Sequence, residues 1–306
     1  MLRVIVLGAG AGGGFPQWNS AGPGCLRARA GDVAALPRTQ ASIAVSVDGE
    51  RWVLVNASPD LRAQIADTPA LHPRQGQLRH SPICAVVLTG GEVDTVIGLL
   101  HLRERHAFEI WGAPPALSVL EANPIFRALN PEIVPRRTLP LSREFDLMGI
   151  RITPYPVPGK VPLYAEEASL ADDAAVAPVT EDGEALGLAL SAGGGTLHVI
   201  PGCAMMTPAL RQRLSGAECV LFDGTLFTDD EMIRTGAGPK TGRRMGHMPM
   251  TGPGGALEAF DGLGVRRRIF LHINNTNPAL LADSPERAQL AAAGWEVAED
   301  GMEIFV

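Results

Sequence analysis

The sequence lacks several features that would each assign it to a large class of proteins. It has no CxxC pair, because its four cysteines lie far apart, at Cys25, Cys84, Cys203 and Cys219. Four widely spaced cysteines in a chain of 306 residues do not indicate a disulfide framework. No apolar run approaches the roughly 18 residues that a membrane span needs, and residues 1–8 are too short and too strand-like for a signal peptide. We therefore expect a reduced, cytoplasmic protein with no membrane partner.

Positive charge is also in short supply. The chain has 26 Lys and Arg against 33 Asp and Glu, which gives a net charge of −7. This balance offers no electrostatic reason to expect nucleic acid as a partner. With 46% hydrophobic and 19% charged residues, the composition is that of a globular protein. A chain of this length can bury about three-quarters of its unfolded surface.

Apolar segments of strand length recur along the chain, and later they alternate with amphipathic helix candidates. The predicted strands span residues 2–7, 42–47, 52–55, 85–88, 108–111, 150–154, 186–190, 196–200, 219–222, 269–272, 295–297 and 302–306. The predicted helices span residues 59–66, 95–105, 116–121, 208–214, 254–263 and 284–292. This order indicates the α/β class. Residues 165–184 have the composition of an exposed excursion and not of a linker, so a single domain over residues 1–306 is predicted.

A glycine-rich segment follows the first predicted strand. Residues 8–13 formally fit the GxGxxG pattern of dinucleotide-binding proteins. Residues 14–24 are rich in Gly and Pro and cannot start the helix that would hold a pyrophosphate. The favoured interpretation is therefore that these glycines let the backbone turn closely beside another element, or line a pocket.

Side chains of the types that bind metals stand at or just beyond the predicted strand ends. Glu92 and Asp94 follow an apolar strand, and side chains two apart on extended backbone face the same way. Asp223 follows a second strand, and His272 ends a third. His247 lies in a loop interrupted by Gly and Pro, with no apolar face to belong to. Jointly, these imidazole and carboxylate groups indicate a site for iron, manganese or zinc.

Each of these residues also has a structural interpretation when taken alone. Glu92 and Asp94 can serve as the N-cap and first-turn charges of a helix. Asp223 can form a turn with the glycine that follows it, and a histidine at a strand end is often only hydrogen-bonded. Cys203, which follows the strand 196–200, is predicted to be a buried structural cysteine.

The turn that carries the two acids resembles the first motif of the metallo-β-lactamase superfamily, His-x-His-x-Asp-His after Leu-Thr. Asp94 keeps its identity. Gly90, Glu92 and Thr95 stand at the three histidine positions. Most of the nitrogen ligands are therefore missing, and this disfavours a dinuclear zinc hydrolase.

Three later positions extend this resemblance. Cys203 stands where the superfamily carries a bridging aspartate, and His247 and His272 match its two late histidine motifs.

Eight longer blocks of unusual sequence occur in order along the chain. They are residues 12–19 (GGGFPQWN), 56–62 (NASPDLR), 102–104 (LRE), 157–164 (VPGKVPLY), 201–204 (PGCA), 222–225 (FDGT), 246–249 (GHMP) and 272–278 (HINNTNP). Together they resemble the PqqB family, which acts in the biosynthesis of the redox cofactor pyrroloquinoline quinone (PQQ). The resemblance implies a cytoplasmic αββα sandwich of two mixed β-sheets flanked by helices.

The chain departs from that family in one informative place. Many members follow Trp-Asn with a Cys-Asn-Cys-x-x-Cys cluster that binds zinc, whereas only Cys25 remains here. One thiolate cannot build a closed tetrahedral site, which needs four ligands. We therefore expect the structural zinc to be absent.

The family resemblance and the candidate ligands together favour an iron(II)- and O₂-dependent hydroxylase. Its substrate would be the tyrosine ring of the cross-linked Glu–Tyr amino acid derived from the precursor peptide. The metal ligands are predicted as Asp94, His247 and His272, with Glu92 or Asp223 as a further ligand or a base beside the metal. Fe²⁺ is the expected ion, with Zn²⁺ as a substitute. The alternative is a non-catalytic carrier of PQQ or its precursor toward the periplasm.

A small polyanionic substrate would need cationic and amide partners. Lys160 and Arg243 are candidates for pairing with its carboxylates, and plain surface charge is the alternative for each. Asn274 and Asn275 are candidates for holding the substrate or orienting His272, and an Asn-rich capped turn is their alternative. A small molecule is therefore the expected partner, and a homodimer is left open.

Overall fold

Two seven-stranded β-sheets face each other and form the centre of the molecule. The computed structural model describes residues 1–160, 162, 164 and 183–306. The excursion predicted over 165–184 lies almost wholly outside these residues. The first sheet has the order β14-β1-β2-β3-β4-β5-β6. Its strands are β1 (Arg3–Gly8), β2 (Ser42–Ser46), β3 (Trp52–Val55), β4 (Ile83–Val87), β5 (Glu109–Gly112), β6 (Arg136–Thr138) and β14 (Glu303–Phe305).

The second sheet has the order β13-β12-β11-β10-β9-β8-β7. Its strands are β7 (Phe145–Leu147), β8 (Ile150–Pro156), β9 (Leu186–Ser191), β10 (Thr196–Ile200), β11 (Cys219–Asp223), β12 (Arg267–Leu271) and β13 (Trp295–Val297). Both sheets are mixed. Strands β3 to β6 run parallel, as do β10 to β13, and the remaining pairs are antiparallel.

Short helices cover the outer faces of the sheets. The α-helices are α1 (Pro23–Arg29), α2 (Leu61–Asp67), α3 (Val93–Val96), α4 (Pro114–Ala122), α5 (Pro208–Leu214), α6 (Glu231–Arg234), α7 (Ala256–Ala259) and α8 (Pro285–Ala292). Among the described residues, 3₁₀-helices lie at Pro69–Leu71, Ile97–Leu102, Pro124–Ala128, Arg243–Met245 and Pro278–Leu280. Within the part of the chain that is described, no helix is long and apolar enough to cross a membrane.

The hydrophobic core has three layers, and the two-residue period of the strands creates them. In β1, Val4 and Val6 enter the layer between the sheets, whereas Ile5 and Leu7 enter the layer outside the first sheet. In β11, Leu221 faces the central layer and Phe222 the layer outside the second sheet. Each sheet is therefore buried on both faces, which is the αββα sandwich predicted from the sequence.

The structure corrects the predicted elements in several places. The predicted helix 95–105 is a four-residue α3 followed by the 3₁₀-helix Ile97–Leu102. At this junction a Cβ on Gly98 would lie 2.0 Å from the carbonyl oxygen of Ser58, so the chain passes too close to its neighbour for a larger residue. The predicted helix 254–263 shortens to α7, and α1, α6, β6 and β7 were not predicted. These elements are short, and several lack a periodic apolar face.

Candidate metal centre and cavity

The candidate ligands meet because two parallel strands of the second sheet end side by side. Asp223 closes β11 and pairs in register with Leu271, the last residue of β12. His272 follows directly, with φ of 59°. This left-handed backbone is uncommon for a non-glycine residue and turns the chain sharply away from the sheet. Both side chains therefore stand at the edge where open α/β architectures place their chemistry.

Asp223 is the buried centre of a hydrogen-bond network. Its Oδ2 accepts hydrogen bonds from the backbone N–H of Cys203 at 2.9 Å and from Nδ1 of His247 at 2.8 Å. Its Oδ1 accepts from both the hydroxyl and the backbone N–H of Thr225, at 2.7 and 3.1 Å. The carboxylate has no solvent exposure. Its lone pairs are thus used to hold His247 and the surrounding backbone in place.

The Thr225 hydroxyl links the two histidines. Its Oγ1 lies 3.1 Å from Nδ1 of His247 and 2.9 Å from Nδ1 of His272. The two imidazole rings stack with centroids 5.3 Å apart and an interplanar angle of 20°. One ligand atom from each of Asp223, His247 and His272 lies within 4.8 Å of the others.

Asp94 reaches this cluster from the first sheet. It lies in the first turn of α3, and its Oδ2 is 2.9 Å from Nε2 of His272. Burial alone would raise the pKa of Asp94, but the hydrogen bond from His272 and the nearby imidazole charges outweigh it and lower that pKa. Burial alone would lower the pKa of His272, but Asp94 and the other carboxylates raise it instead. Both shifts favour an ionised Asp94 carboxylate hydrogen-bonded to a protonated His272.

The donor set fits a divalent transition metal. With Nδ1 of each histidine held by Asp223 or Thr225, Nε2 is the remaining ligand nitrogen of each ring. Nε2 of His272 already faces a carboxylate oxygen, and the proton between them is one that metal binding would release. Imidazole nitrogen with carboxylate oxygen suits iron, manganese or zinc.

A cavity of about 890 Å³ opens onto this cluster. Asp94, His247 and His272 all contribute to its wall. Gly12 and Gly13 line it too, as the glycine-rich segment was predicted to do, and a Cβ on Gly12 would lie 3.7 Å from Oδ2 of Asp94. The volume is that of a small-molecule site.

Glu92 and Asp94 both line the cavity and both lie outside the group of ligand atoms within 4.8 Å that Asp223, His247 and His272 form, although Asp94 contacts His272. Glu92 is the residue before α3, and its side chain makes no capping hydrogen bond. Thr95, at one of the superfamily's histidine positions, turns its hydroxyl to the backbone oxygens of Gly90 and Glu92, at 3.1 and 2.8 Å. Thr95 therefore closes the turn that carries the acids.

The four predicted substrate-binding residues divide into two groups. Lys160 and Asn274 line the cavity. Arg243 is not among the described lining residues, and its guanidinium donates to the carbonyl oxygens of Pro253 and Gly254. Asn275 also lies outside the lining. Its amide nitrogen donates to Gln17, and its oxygen accepts from the thiol of Cys25 at 3.6 Å.

Sequence reasoning missed several lining residues, Lys240 and Thr225 among them. Lys240 supplies a second lysine to the wall, from a Gly-Pro-Lys stretch that carries no periodic signal. Thr225 entered the sequence analysis only as part of the block 222–225, although a hydroxyl two residues after Asp223 is a recognisable turn pattern. Its contacts to two distant histidines had no sequence signal.

Two cysteines singled out from the sequence are buried. Cys25 is 1% exposed within the core outside the second sheet. Cys203 is fully buried, and its thiol donates to the carbonyl oxygen of Met205 at 3.2 Å. At the position where the superfamily has a bridging aspartate, this chain thus offers a backbone N–H to Asp223.

Comparison with known proteins agrees with this architecture. The family model described as "Beta-lactamase superfamily domain" matches residues 51–273. A diphosphatase of the PhnP family has the same fold, with a TM-score of 0.69 at 19% identity over 99% of this chain and 96% of its own. Identity this low is evidence for the fold alone.

Nearer relatives are similar over their full length. Coenzyme PQQ synthesis protein B of Gluconacetobacter diazotrophicus is 60% identical over 311 residues, which cover 99% of each chain. The protein of the same name from Gluconobacter oxydans is 53% identical over 309 residues, covering 99% of this chain and 98% of its own. The crystal structure of Zn²⁺-bound PqqB from Methylobacterium extorquens superposes with a TM-score of 0.94 at 48% identity, covering 99% of this chain and all of the other. The chain therefore belongs to the coenzyme PQQ synthesis protein B family, within the beta-lactamase superfamily.

Proposed function

We propose that this protein acts in PQQ biosynthesis as a metal-dependent hydroxylase of the tyrosine ring in a cross-linked Glu–Tyr precursor. The observation that carries the proposal is the donor set at the cavity wall, in which Asp94, His247 and His272 combine one carboxylate with two imidazoles. Mixed histidine and carboxylate sets with open positions suit non-haem iron(II) oxygenases. The substitution of most of the superfamily's first-motif histidines argues against dinuclear hydrolysis.

The chain's own residues would orient this donor set. Asp223 holds Nδ1 of His247, and the Thr225 hydroxyl receives Nδ1 of His272. Both rings are thereby kept in the tautomer whose Nε2 can bind a metal, and partners of this kind commonly raise metal affinity. We assign the metal to Asp94, His247 and His272, with Glu92 as a further ligand or a base within the same cavity.

Iron(II), when bound, would supply the redox chemistry for the reaction with dioxygen. The overall conversion inserts one oxygen atom into an aromatic C–H bond to give C–OH, and the second oxygen atom leaves as water. The balance requires two electrons and two protons, which we assign to an external two-electron reductant of the ascorbate class. The protein would position the ring and shield the reaction from bulk water.

The cavity also supports the proposed substrate class. Its volume of about 890 Å³ accommodates a modified amino acid, and both Lys160 and Lys240 lie in the wall. Ammonium groups at these positions would attract carboxylates of a polyanionic small molecule. Since Arg243 donates to backbone carbonyls elsewhere, Lys240 takes the place that the sequence analysis gave to Arg243.

The decisive experiment is anaerobic reconstitution with Fe²⁺, followed by exposure to ¹⁸O₂ with a tyrosine-derived substrate and ascorbate. We expect the product to gain one labelled oxygen atom by mass spectrometry. D94A and H272A should lose bound iron and at least about 100-fold in rate, because each removes a ligand. H101A is the matched control, since His101 is exposed and its Nε2 lies 3.2 Å from the Pro59 carbonyl oxygen, away from the cavity lining.

Two outcomes would contradict the hydroxylase. Full iron content and oxygen uptake in both D94A and H272A would exclude the assigned ligands. Tight binding of PQQ or its precursor without any labelled product would favour the carrier, which the size of the cavity also permits.

A further inference from the structure

A buried carboxylate outside the candidate metal centre is connected to the cavity wall. Glu231, the first residue of α6, is 1% exposed. Its Oε2 accepts the backbone N–H of Phe227 at 2.7 Å, and its Oε1 accepts the hydroxyl of Thr276. Burial raises the pKa of Glu231 to about 7, although its hydrogen bonds with Thr276 and Phe227 oppose that rise.

Thr276 passes this contact on to Asn274. The amide nitrogen of Asn274 lies 2.7 Å from the Thr276 hydroxyl and 3.2 Å from the sulfur of Met232. Asn274 and Met232 both line the cavity. The buried side chain of Glu231 is therefore connected to the cavity wall through the hydroxyl of Thr276.

The charge on Glu231 sets the direction of each hydrogen bond in the series Glu231–Thr276–Asn274. An ionised carboxylate can only accept, so the Thr276 hydroxyl must donate its single proton to Glu231. Thr276 can then only accept from Asn274, which fixes the amide with its nitrogen toward Thr276. The second N–H of that nitrogen points at Met232, so the oxygen of Asn274 is left as the acceptor.

We propose that Oδ1 of Asn274 is a specificity-determining hydrogen-bond acceptor for an N–H or O–H donor of the ligand, and that Glu231 is the positioning residue that orients it. The inference rests on the proposed function for the choice of a tyrosine-like ligand. Oδ1 accepts one hydrogen bond, from the amide nitrogen of Asn275 at 3.3 Å, and its second lone pair retains the capacity for this bond. The acidic cavity residues Glu92, Asp94 and Glu184 also favour the ammonium or another donor group of an amino acid, whereas Lys160 and Lys240 would attract its carboxylates.

The test is a set of variants that exchange the donor and acceptor roles along the series Glu231–Thr276–Asn274. In E231Q the new amide can donate to Thr276, whose hydroxyl proton is then released to donate to Asn274, so that the amide of Asn274 is no longer held with its oxygen toward the ligand. N274D in the native background leaves two carboxylates competing for one hydroxyl proton. In the double variant E231Q/N274D the directions agree again, and an acceptor oxygen is restored to the wall.

Binding of L-tyrosine is measured by calorimetry at about pH 8, where Glu231 is ionised, with the full chain as purified and again after chelation of metal. We expect each single variant to bind about tenfold more weakly, and the double variant to return to within about threefold of the native protein. A merely structural role for Glu231 predicts the opposite, since two losses would add. A double variant as weak as E231Q, or weaker, would overturn the proposal.

Three probes on the unmodified protein identify the donor and remain informative if a variant fails to fold. L-Phenylalanine lacks the phenol O–H of L-tyrosine, and 3-(4-hydroxyphenyl)propanoate lacks its ammonium group. We expect one of the two to bind about tenfold more weakly than L-tyrosine, which names the group that Asn274 receives. Equal affinity for all three would overturn the proposal. Because no turnover is measured, failure here is distinguishable from failure of the hydroxylase.

Discussion

At the scale of single residues, Thr225 contacts three of the side chains that form the candidate metal centre. Its one hydroxyl donates to Oδ1 of Asp223 and lies within 3.1 Å of Nδ1 of both His247 and His272. A hydroxyl can both donate and accept, so it satisfies a carboxylate and an imidazole N–H at once. Thr225 therefore sets the tautomer of His272 directly, and it supports that of His247 by holding Asp223.

T225V should test this assignment, because it removes the hydroxyl and keeps the shape. We expect the affinity for Zn²⁺ or Fe²⁺ to fall about 10- to 100-fold. The free energy of unfolding should drop by about 1–3 kcal/mol, since Asp223 loses a buried donor. Chelator competition and urea unfolding would measure the two effects. T228V is the control, because the Thr228 hydroxyl bonds Asp230 at an exposed site, and an equal loss in both variants would refute the role of Thr225.

At the scale of elements, a buried hydrogen bond joins Tyr155 of β8 to His198 of β10, and the tyrosine ring passes over Gly187 of the strand between them, β9. Tyr155 of β8 pairs in register with Gly187 of β9. Its hydroxyl reaches Nδ1 of His198 on β10, at 2.9 Å. A Cβ on Gly187 would lie 2.4 Å from the tyrosine ring, so only glycine lets the ring cross the middle strand. Arg213 of α5 covers the same ring at 4.5 Å.

G187A should therefore destabilise the fold by about 1–3 kcal/mol, through overpacking against Tyr155. The same change made in a Y155L background should cost much less, because the clashing ring is gone. Denaturant unfolding of the four proteins gives the comparison. G194A serves as the control, since a Cβ on Gly194 meets nothing nearer than 3.8 Å. Equal losses in the two backgrounds would show that the ring is not the cause.

The elements also show where local pattern succeeds and where it fails. Strands β3, β10 and β13 were predicted at their observed bounds, because they are apolar and bounded by turn residues. Strand β6 was missed, since Arg136, Arg137 and Thr138 carry no apolar alternation and pair only at the sheet edge. The helix predicted over 95–105 breaks because Gly98 packs against the backbone at Ser58, a contact distant in sequence.

At the scale of the whole molecule, the candidate centre joins the two sheets. Asp94 comes from α3, which follows β4 of the first sheet, whereas Asp223 and His272 come from the second sheet. The glycine-rich segment after β1 adds a backbone link, because the N–H of Ala11 donates to the carbonyl oxygen of Ile273 at 2.9 Å. Ligands from both sheets can meet only when the sandwich has formed.

The global stability should depend on pH through His198. Burial, with the nearby Arg213, lowers the pKa of His198 to about 4, against about 6.5 in the unfolded chain. Between these two pH values His198 is protonated in the unfolded state and neutral in the folded state. The free energy of unfolding should thus fall on acidification from about pH 6.5 to 4, by up to about 1.4 kcal/mol per pH unit from this group.

The measurement is the difference between the native protein and H198Q, in which the glutamine can still accept from Tyr155. Urea unfolding at several pH values should give a shallower loss of stability for H198Q below pH 6.5. H101Q is the control, because His101 is exposed. Parallel pH profiles for the native protein and H198Q would refute the assignment.

The sequence by itself determined the fold class, most central strands and the residue types of the candidate site. These follow from local periodicity and from ordered blocks of sequence, which are readable along a single chain. The tertiary structure decided which groups meet. It brought Asp94 to His272, which is 178 positions away, placed Thr225 between two histidines, and put Lys240 in the cavity wall that Arg243 does not reach. Such contacts depend on the register and stacking of two sheets, and no local propensity encodes them.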